Sequence, residues 1–513
     1  MDPSFVRSLA RRLAAGAISA LALGSTAFST PAVVNSVAVH PLISDWAYLG
    51  NDGTPPSQAA CIAVSRRCFN PAAMANSYNY AGLHAAGNQG QGMTIAVVDS
   101  FGASTIRQDL GVFNAAFGLP HLCGETGPST PAGNCPPGSG PRFDIIAVQG
   151  TPPPVPPPPN NGTGLENHNL WDLEVALDVE WAHATAPLAN IMLVTTPTAE
   201  VLGVQGFQQM MNAEDALIAN HRVDVISQSF GAGEGTFNNG LAALKQLRQA
   251  FVDAQANHVT VFASSGDGGT TNNMKVPVKN PSVIPYQSVI WPSSDPLVTS
   301  VGGTYLCTSA VTGAAVDSAS PPVNCQNAPG DREPGWVAAG GGYSIYFSRP
   351  DFQAVLPPGS SYVGSSPGAP GPNSNMRGLP DIAYQASSRT GVLVYLTEPA
   401  NTASGPGCGG ASPCSTGWYT VGGTSASSPQ WAGLIAIADQ MAGRDLGYIN
   451  PALYRIANNP AKYAADFYDV TANCNQTTAI PGWCASKGWD AVTGLGTPNA
   501  AALLPDLIAE TAN

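Results

Sequence analysis

Charge is scarce in this chain. Of its 513 residues only 10% are Asp, Glu, Lys or Arg, and 33 acids against 20 bases leave a formal charge of −13. A nucleic-acid binder would need a basic face, which this balance excludes. Few ionisable groups also suit a protein working in acid, because little native charge then changes on titration. Long apolar runs are missing as well: past the first stretch of the chain, no segment is long and apolar enough to span a bilayer. No Cys-x-x-Cys and no Cys/His ladder is present, which argues against a thiolate-held metal cluster. There is no long charge run and no internal repeat. With 44% hydrophobic residues, what remains is a globular chain holding one large core or two domains.

The amino terminus reads as an export signal over residues 1–29. Arg7, Arg11 and Arg12 precede an apolar stretch from Leu13 to Phe28, broken by Gly16 and Gly24, and the small residues Ala27 and Ser29 fit cleavage after Ser29. The mature protein is then expected to be secreted and free of the membrane. All ten cysteines lie downstream, in neighbouring twos: Cys61 and Cys68, Cys123 and Cys135, Cys307 and Cys325, Cys408 and Cys414, Cys474 and Cys484. Nearest-neighbour disulfides are the simplest proposal, although spacing leaves connectivity open.

Residues 30–78 show little periodicity and read as an N-terminal arm; residues 79–513 read as the main domain. In the latter, Met93–Ser100 is a continuous apolar run closed by a polar turn, as in a strand buried on both faces of a parallel sheet. Similar runs recur at Phe143–Val148, Asn190–Val194, Val223–Ser227 and Val259–Ala263. Helical patterns lie near Ser104–Phe117, Trp171–Ala184, Val204–Ala219 and Leu241–Ala256. This alternation predicts an α/β fold, a doubly wound and mainly parallel sheet with helices on both faces. Function in such sheets gathers at the carboxyl ends of the strands. Thr151–Pro159 reads as a stiff polyproline surface loop, and Ser309–Gly342 as loops.

Three stretches are candidates for chemistry, each with a plain structural reading beside it. Gly422-Gly423-Thr424-Ser425 delivers a serine to the start of a helix carrying Trp431, Leu434 and Ile435. Its hydroxyl would sit near a positive dipole end, but Ser and Thr there are also ordinary helix caps. On a second helix Glu174 and Asp178 share a face beside an apolar ridge of Leu173, Leu177 and Trp181. The pair would either form a solvated acidic face or, partly buried, share a proton. Third, the run Val261–Ser265 leads into a glycine turn carrying Asp267, a position where aspartates often only cap amides.

Taken together these residues resemble the sedolisin family, the serine-carboxyl peptidases related to subtilisins. Glu-x-x-x-Asp stands as Glu174 and Asp178, Ser-Gly-Asp-x-Gly as Ser265–Gly269, and Gly-Thr-Ser-x-x-x-Pro as Gly423–Pro429. The match runs from about residue 78 to 505, supported by Val301–Thr304, Gly340–Ser344 with Arg349-Pro350, and Leu379–Ala383. The resemblance implies a subtilisin-like fold and an endopeptidase. Ser425 would attack the scissile carbonyl, with Glu174 as base and Asp178 behind it. A protonated Asp267 would serve the oxyanion. Such a site should work in acid. The family is usually made with a large folded pro-domain; here only about fifty residues separate the signal from the match, so a form without that pro-domain is expected.

Near the carboxyl end, Phe467-Tyr468-Asp469-Val470 and Ser486–Pro498 offer separated aspartates in glycine-rich turns, as a hard cation requires. The resemblance implies one structural Ca²⁺ held by the side chains of Asp469 and Asp490 and main-chain oxygens of Val470, Ser486 and Gly488. The expected partner is a protein or peptide substrate, with a monomeric enzyme. Three alternatives stay open: a silent, protein-binding pseudo-peptidase, an Asp/His/Ser peptidase using Asp99, and an ester hydrolase. None of the seven histidines lies in a His-Gly-Thr-type helix start, and His168 and His183 read as surface or capping groups. The Gly-x-Ser-x-Gly elbow of ester hydrolases is missing.

Overall fold

The computed structural model describes residues 40–41, 45–50, 53–127, 140–148, 168–196, 204–237, 239–271, 286–357, 360, 362, 375–397, 416–476 and 480–512. The export signal and the polyproline stretch Thr151–Pro159 lie outside the described residues.

Seven strands build the central sheet, in the order Ile382–Gln385, Thr299–Thr304, Thr260–Ser264, Val225–Gln228, Thr94–Ser100, Asn190–Thr196 and Phe143–Ala147. Every pairing in it is parallel. Side chains alternate across a strand, so Ile95 and Val97 enter one core while Ala96 and Val98 enter another. The first core takes in helices Ile106–Phe117, His168–Thr185 and Ser427–Ala442; the second takes in Val204–Ala219 and Gln249–Ala256. The α/β, doubly wound architecture expected from the run pattern is therefore the one observed. Buried indoles pin the first core to backbone: Trp181 Nε1 donates to the Leu393 carbonyl at 2.9 Å, and Trp431 Nε1 to that of Ala383 at 3.1 Å.

Two local readings change. Leu241–Ala256 is a pair of helices, Leu241–Leu247 and Gln249–Ala256, meeting at Arg248. That residue sends Nε and Nη2 to the buried carboxylate of Asp295, both at 2.7 Å. Ser309–Gly342 is mostly turns, with a short helix Val323–Asn327 stapled by the Cys307–Cys325 disulfide.

A second sheet of four strands runs Asp45–Gly50, Gly417–Gly422, Thr390–Leu396, Arg67–Phe69. Both its edges come from near the beginning of the chain. Arg66 locks this region through Asp45 at 2.9 Å and Ser388 at 2.6 Å. Arg67, almost fully buried, donates to the carbonyls of Thr308 at 2.9 Å, Ser320 at 3.0 Å and Pro321 at 2.7 Å, and to that of Asp317. Cys61–Cys68 and Cys474–Cys484 pair as nearest neighbours too, and Cys123 is also disulfide-bonded. Cys135, Cys408 and Cys414 lie outside the described residues.

Candidate active site

The serine is delivered by a strand ending in glycine. Gly417–Gly422 leads to Gly423, whose φ of 137° only glycine adopts without strain. A single turn, Thr424–Ala426, then opens the helix Ser427–Ala442. Ser425 is fully buried at that opening. From the other side comes the helix His168–Thr185. From Trp171 onward it is buried all round, Glu174, Asp178 and Glu180 included. A solvated acidic face is thereby excluded.

The structure brings Glu174, Asp178, Asp267 and Ser425 together, and adds Asp99. That aspartate closes the strand Thr94–Ser100 on the face of Ile95 and Val97, toward the Glu174 helix. Burial pushes the Asp99 carboxyl up to about 8. Glu174 is held well above the carboxylate range, first by burial, then by the charges of Asp178 and Asp99; the Ser425 hydroxyl pulls it back down, and Asp267 adds a smaller upward push. Asp178 is raised by burial and by Asp99, and eased by the Ser229 hydroxyl. None of the six oxygens of Asp99, Glu174 and Asp178 makes a hydrogen bond of full geometry, and neither does Ser425 Oγ. Three carboxyl groups so close and fully buried must share protons, and they titrate as one unit.

Asp267 stands at the carboxyl end of strand Thr260–Ser264. Its Oδ1 accepts from the Thr424 amide at 2.7 Å and from Thr424 Oγ1 at 2.8 Å, and that hydroxyl accepts in turn from the Gly266 amide at 3.1 Å. The residue beside the serine therefore aims the aspartate. Thr424 was in view only as part of its motif, and Ser229, just past the strand Val225–Gln228, was not in view at all.

The described histidines that bond do so away from the serine. Nε2 of His84 meets the Thr185 carbonyl at 2.9 Å, His121 pairs with Glu125, and Nε2 of His183 meets the Pro120 carbonyl at 3.0 Å. His183 is buried rather than a surface group, and burial lowers it to about 4. The His168 side chain lies outside the described residues.

Farther along, Asp469 accepts from the Tyr463 hydroxyl at 3.0 Å and the Gly488 amide at 3.1 Å. Asp490 Oδ1 accepts from Val492 and Thr493 amides at 2.8 and 2.9 Å, and its Oδ2 from the Ser486 amide at 3.1 Å. Both carboxylates bear on Tyr463. Among the described residues no group of three or more His, Cys, Asp or Glu forms a metal cradle. An ion held here would therefore draw part of its shell from main-chain oxygens, a donor set suited to a hard cation.

A subtilisin-like α/β scaffold with a helix-start serine facing shared carboxyl groups is the class this fold and site define. A model of the subtilase family matches residues 174–451. The chain belongs to that family. It is 28% identical over 462 residues to kumamolisin from a Bacillus species, covering 88% of this chain and 66% of that protein. With tripeptidyl-peptidase 1 of Bos taurus it shares 28% identity over 364 residues, 67% of this chain and 53% of that one. The chain thus spans between half and two thirds of the length of these relatives. Among solved structures, a Pseudomonas sedolisin complexed with pseudo-iodotyrostatin aligns with a TM-score of 0.59 at 23% identity, covering 86% of this chain and 98% of that one.

Proposed function

We propose that the protein is a secreted, acid-acting serine-carboxyl endopeptidase. The observation that carries this reading is the buried cluster of Asp99, Glu174 and Asp178 against Ser425, with Asp267 aimed by Thr424 alongside. With one negative charge spread over the cluster, Glu174 takes the Ser425 proton as Oγ attacks the scissile carbonyl. Asp178 and Asp99, in neutral form, donate toward that charge. The carbonyl oxygen becomes an oxyanion beside Asp267, which donates to it when protonated. Glu174 returns the proton to the departing amine, and water then releases the acyl group by the same steps reversed. Further ionisation as pH rises would crowd the cluster with charge and remove the donor, so activity should be lost on the alkaline side.

The test is cleavage of a denatured protein from about pH 2.5 to about pH 8. An acid peak is expected, with Glu174→Gln down by ~10²–10⁴-fold and Ser425→Ala by up to ~10⁶-fold. A peak near neutrality with Glu174→Gln still active would sink the carboxyl base. No cleavage at any pH would leave a protein-binding role.

We further infer that Asp469 and Asp490, with main-chain oxygens of Val470, Ser486 and Gly488, hold one Ca²⁺. The two partly or wholly buried carboxylates accept hydrogen bonds from amides and hydroxyls, Lys487 reaches Asp469 only through its charge, and a divalent ion would supply the balance of positive charge. Chelation should lower the melting temperature by several degrees, roughly 2–4 °C for each kcal/mol lost. A melting curve indifferent to chelator and to added Ca²⁺ would end that assignment.

A further inference from the structure

The turn that presents Asp267 is gripped from two sides. Thr424 holds it on the side of the nucleophile. On the other side lies the strip Ala338–Gly340. The Gly269 amide donates to the Ala338 carbonyl at 2.9 Å, the Gly340 amide to that of Gly266 at 2.6 Å, and Ser265 Oγ to that of Gly340 at 2.8 Å. The approach is so close that a Cβ on Gly340 would stand 2.0 Å from the Ser265 carbonyl oxygen. A side chain there would push the turn out of place.

One residue bonds both the strip and the turn from outside. Asn475 is fully buried; its Nδ2 donates to the Ala339 carbonyl at 3.0 Å, and its own carbonyl accepts the Thr270 amide at 3.1 Å. Its amide plane is fixed by Trp483, whose N–H donates to Asn475 Oδ1 at 2.8 Å, while the Asn475 N–H donates to the Trp483 carbonyl at 2.9 Å. These bonds lie next to the Cys474–Cys484 disulfide, whose two residues face each other as an antiparallel bridge. Both ends of the Asn475 amide are thus committed, one to the stapled loop and one to the strip behind the Asp267 turn.

Resting on the peptidase reading above, we propose that Asn475 is a positioning residue for the oxyanion donor: it ties the Cys474–Cys484 bridge and Trp483 to the turn that aims Asp267. The oxyanion donor acts through placement, and a small displacement weakens the transition state more than the bound substrate. Asn475 touches neither substrate nor reacting atoms, so its removal acts on turnover through Asp267.

The experiment uses the full chain, with steady-state kinetics on a chromogenic peptide at the acid optimum. A peptide aldehyde serves as probe, since Ser425 Oγ adds to its carbonyl carbon and the former carbonyl oxygen, protonated, sits where the oxyanion would. Asn475→Ala should lower kcat by ~10–100-fold and weaken the aldehyde in parallel, with KM within about twofold. A lower melting temperature with kcat and aldehyde affinity unchanged overturns the proposal. If Asn475→Ala does not fold, the double variant Cys474→Ser/Cys484→Ser keeps the amide and loosens its base; the same split at smaller size is expected, and an unchanged kcat overturns it. Asp267→Asn and Ser425→Ala run alongside. Full activity in those two would sink the peptidase reading itself, whereas their loss with an unaffected Asn475→Ala would sink only the positioning role.

Discussion

Asp99 is the residue whose neighbours most change its meaning. In the chain it ends an apolar strand; in the fold it is a fully buried acid that raises both Glu174 and Asp178. Its folded value of about 8 lies far above an ordinary carboxyl, so in acid it stays protonated and adds no charge. Asp99→Asn imitates that neutral form and should keep activity at the acid optimum within a few-fold. The charge that would arrive on Asp99 as pH climbs toward 8 is then missing, so the alkaline limb of the kcat/KM profile should move upward. A profile that narrows instead, or a loss as deep as that of Glu174→Gln, would place the working charge on Asp99. Ser425, Glu174, Asp178 and Asp267 were legible in the sequence as candidates through the resemblance their motifs carry together, since each alone also reads as a cap, an acidic face or a turn. Asp99 as their companion was not, since strand and helix meet only through the packing of the sheet.

At the scale of elements, two helices set the spacing of the candidate site. The helix His168–Thr185 brings Glu174 and Asp178, while Ser427–Ala442 follows directly on Ser425, and they touch where Gly433 meets Thr185. A Cβ on Gly433 would stand 2.6 Å from Thr185 Cβ, too close for either helix to stay put. Gly433→Ala should therefore destabilise the protein by roughly 1–3 kcal/mol and lower kcat, because separation of the helices draws Glu174 from Ser425. Thermal melting and turnover of the same preparation check both halves. Five of the seven strands of the central sheet were visible beforehand as continuous apolar runs; Thr299–Thr304 and Ile382–Gln385 were not, being short and interrupted by Gly, Ser, Thr or Gln. The edges Asp45–Gly50 and Arg67–Phe69 were not, being short strands whose partners lie far along the chain. The break at Arg248 was equally hidden, because the Leu241–Ala256 pattern carries no glycine or proline to mark it.

Across the whole molecule, buried carboxyls recur outside the site. Burial raises Asp109 to about 6, Glu234 to about 7 and Glu214 to about 8, and lifts Glu180 and Asp439 well above the ordinary range. Each folded value exceeds its unfolded value near 4, so between the two the native state binds more protons. The stability such a group contributes is complete below its unfolded pKa and fades as pH rises through the folded one. Stability should accordingly be greatest in acid and decline between about pH 5 and about pH 8, on the order of 1 kcal/mol per group and pH unit. Melting temperatures of the Ser425→Ala protein, which cannot digest itself under the proposed mechanism, would fall across that range. A rise would mean that these acids are charged and paired.

The sheet that carries Gly417–Gly422 into the serine turn has a consequence for how the molecule comes into being. Its outer neighbour is Asp45–Gly50, with Trp46 opposite Val421. Synthesis delivers these strands at opposite ends of the process, so the serine's approach strand cannot complete its ladder until almost the whole chain has emerged. Pairings so remote in sequence close large loops and form late and slowly. A nascent chain would hold every carboxylate of the site before it could assemble the nucleophile, so hydrolytic competence should be the last property the folding protein acquires.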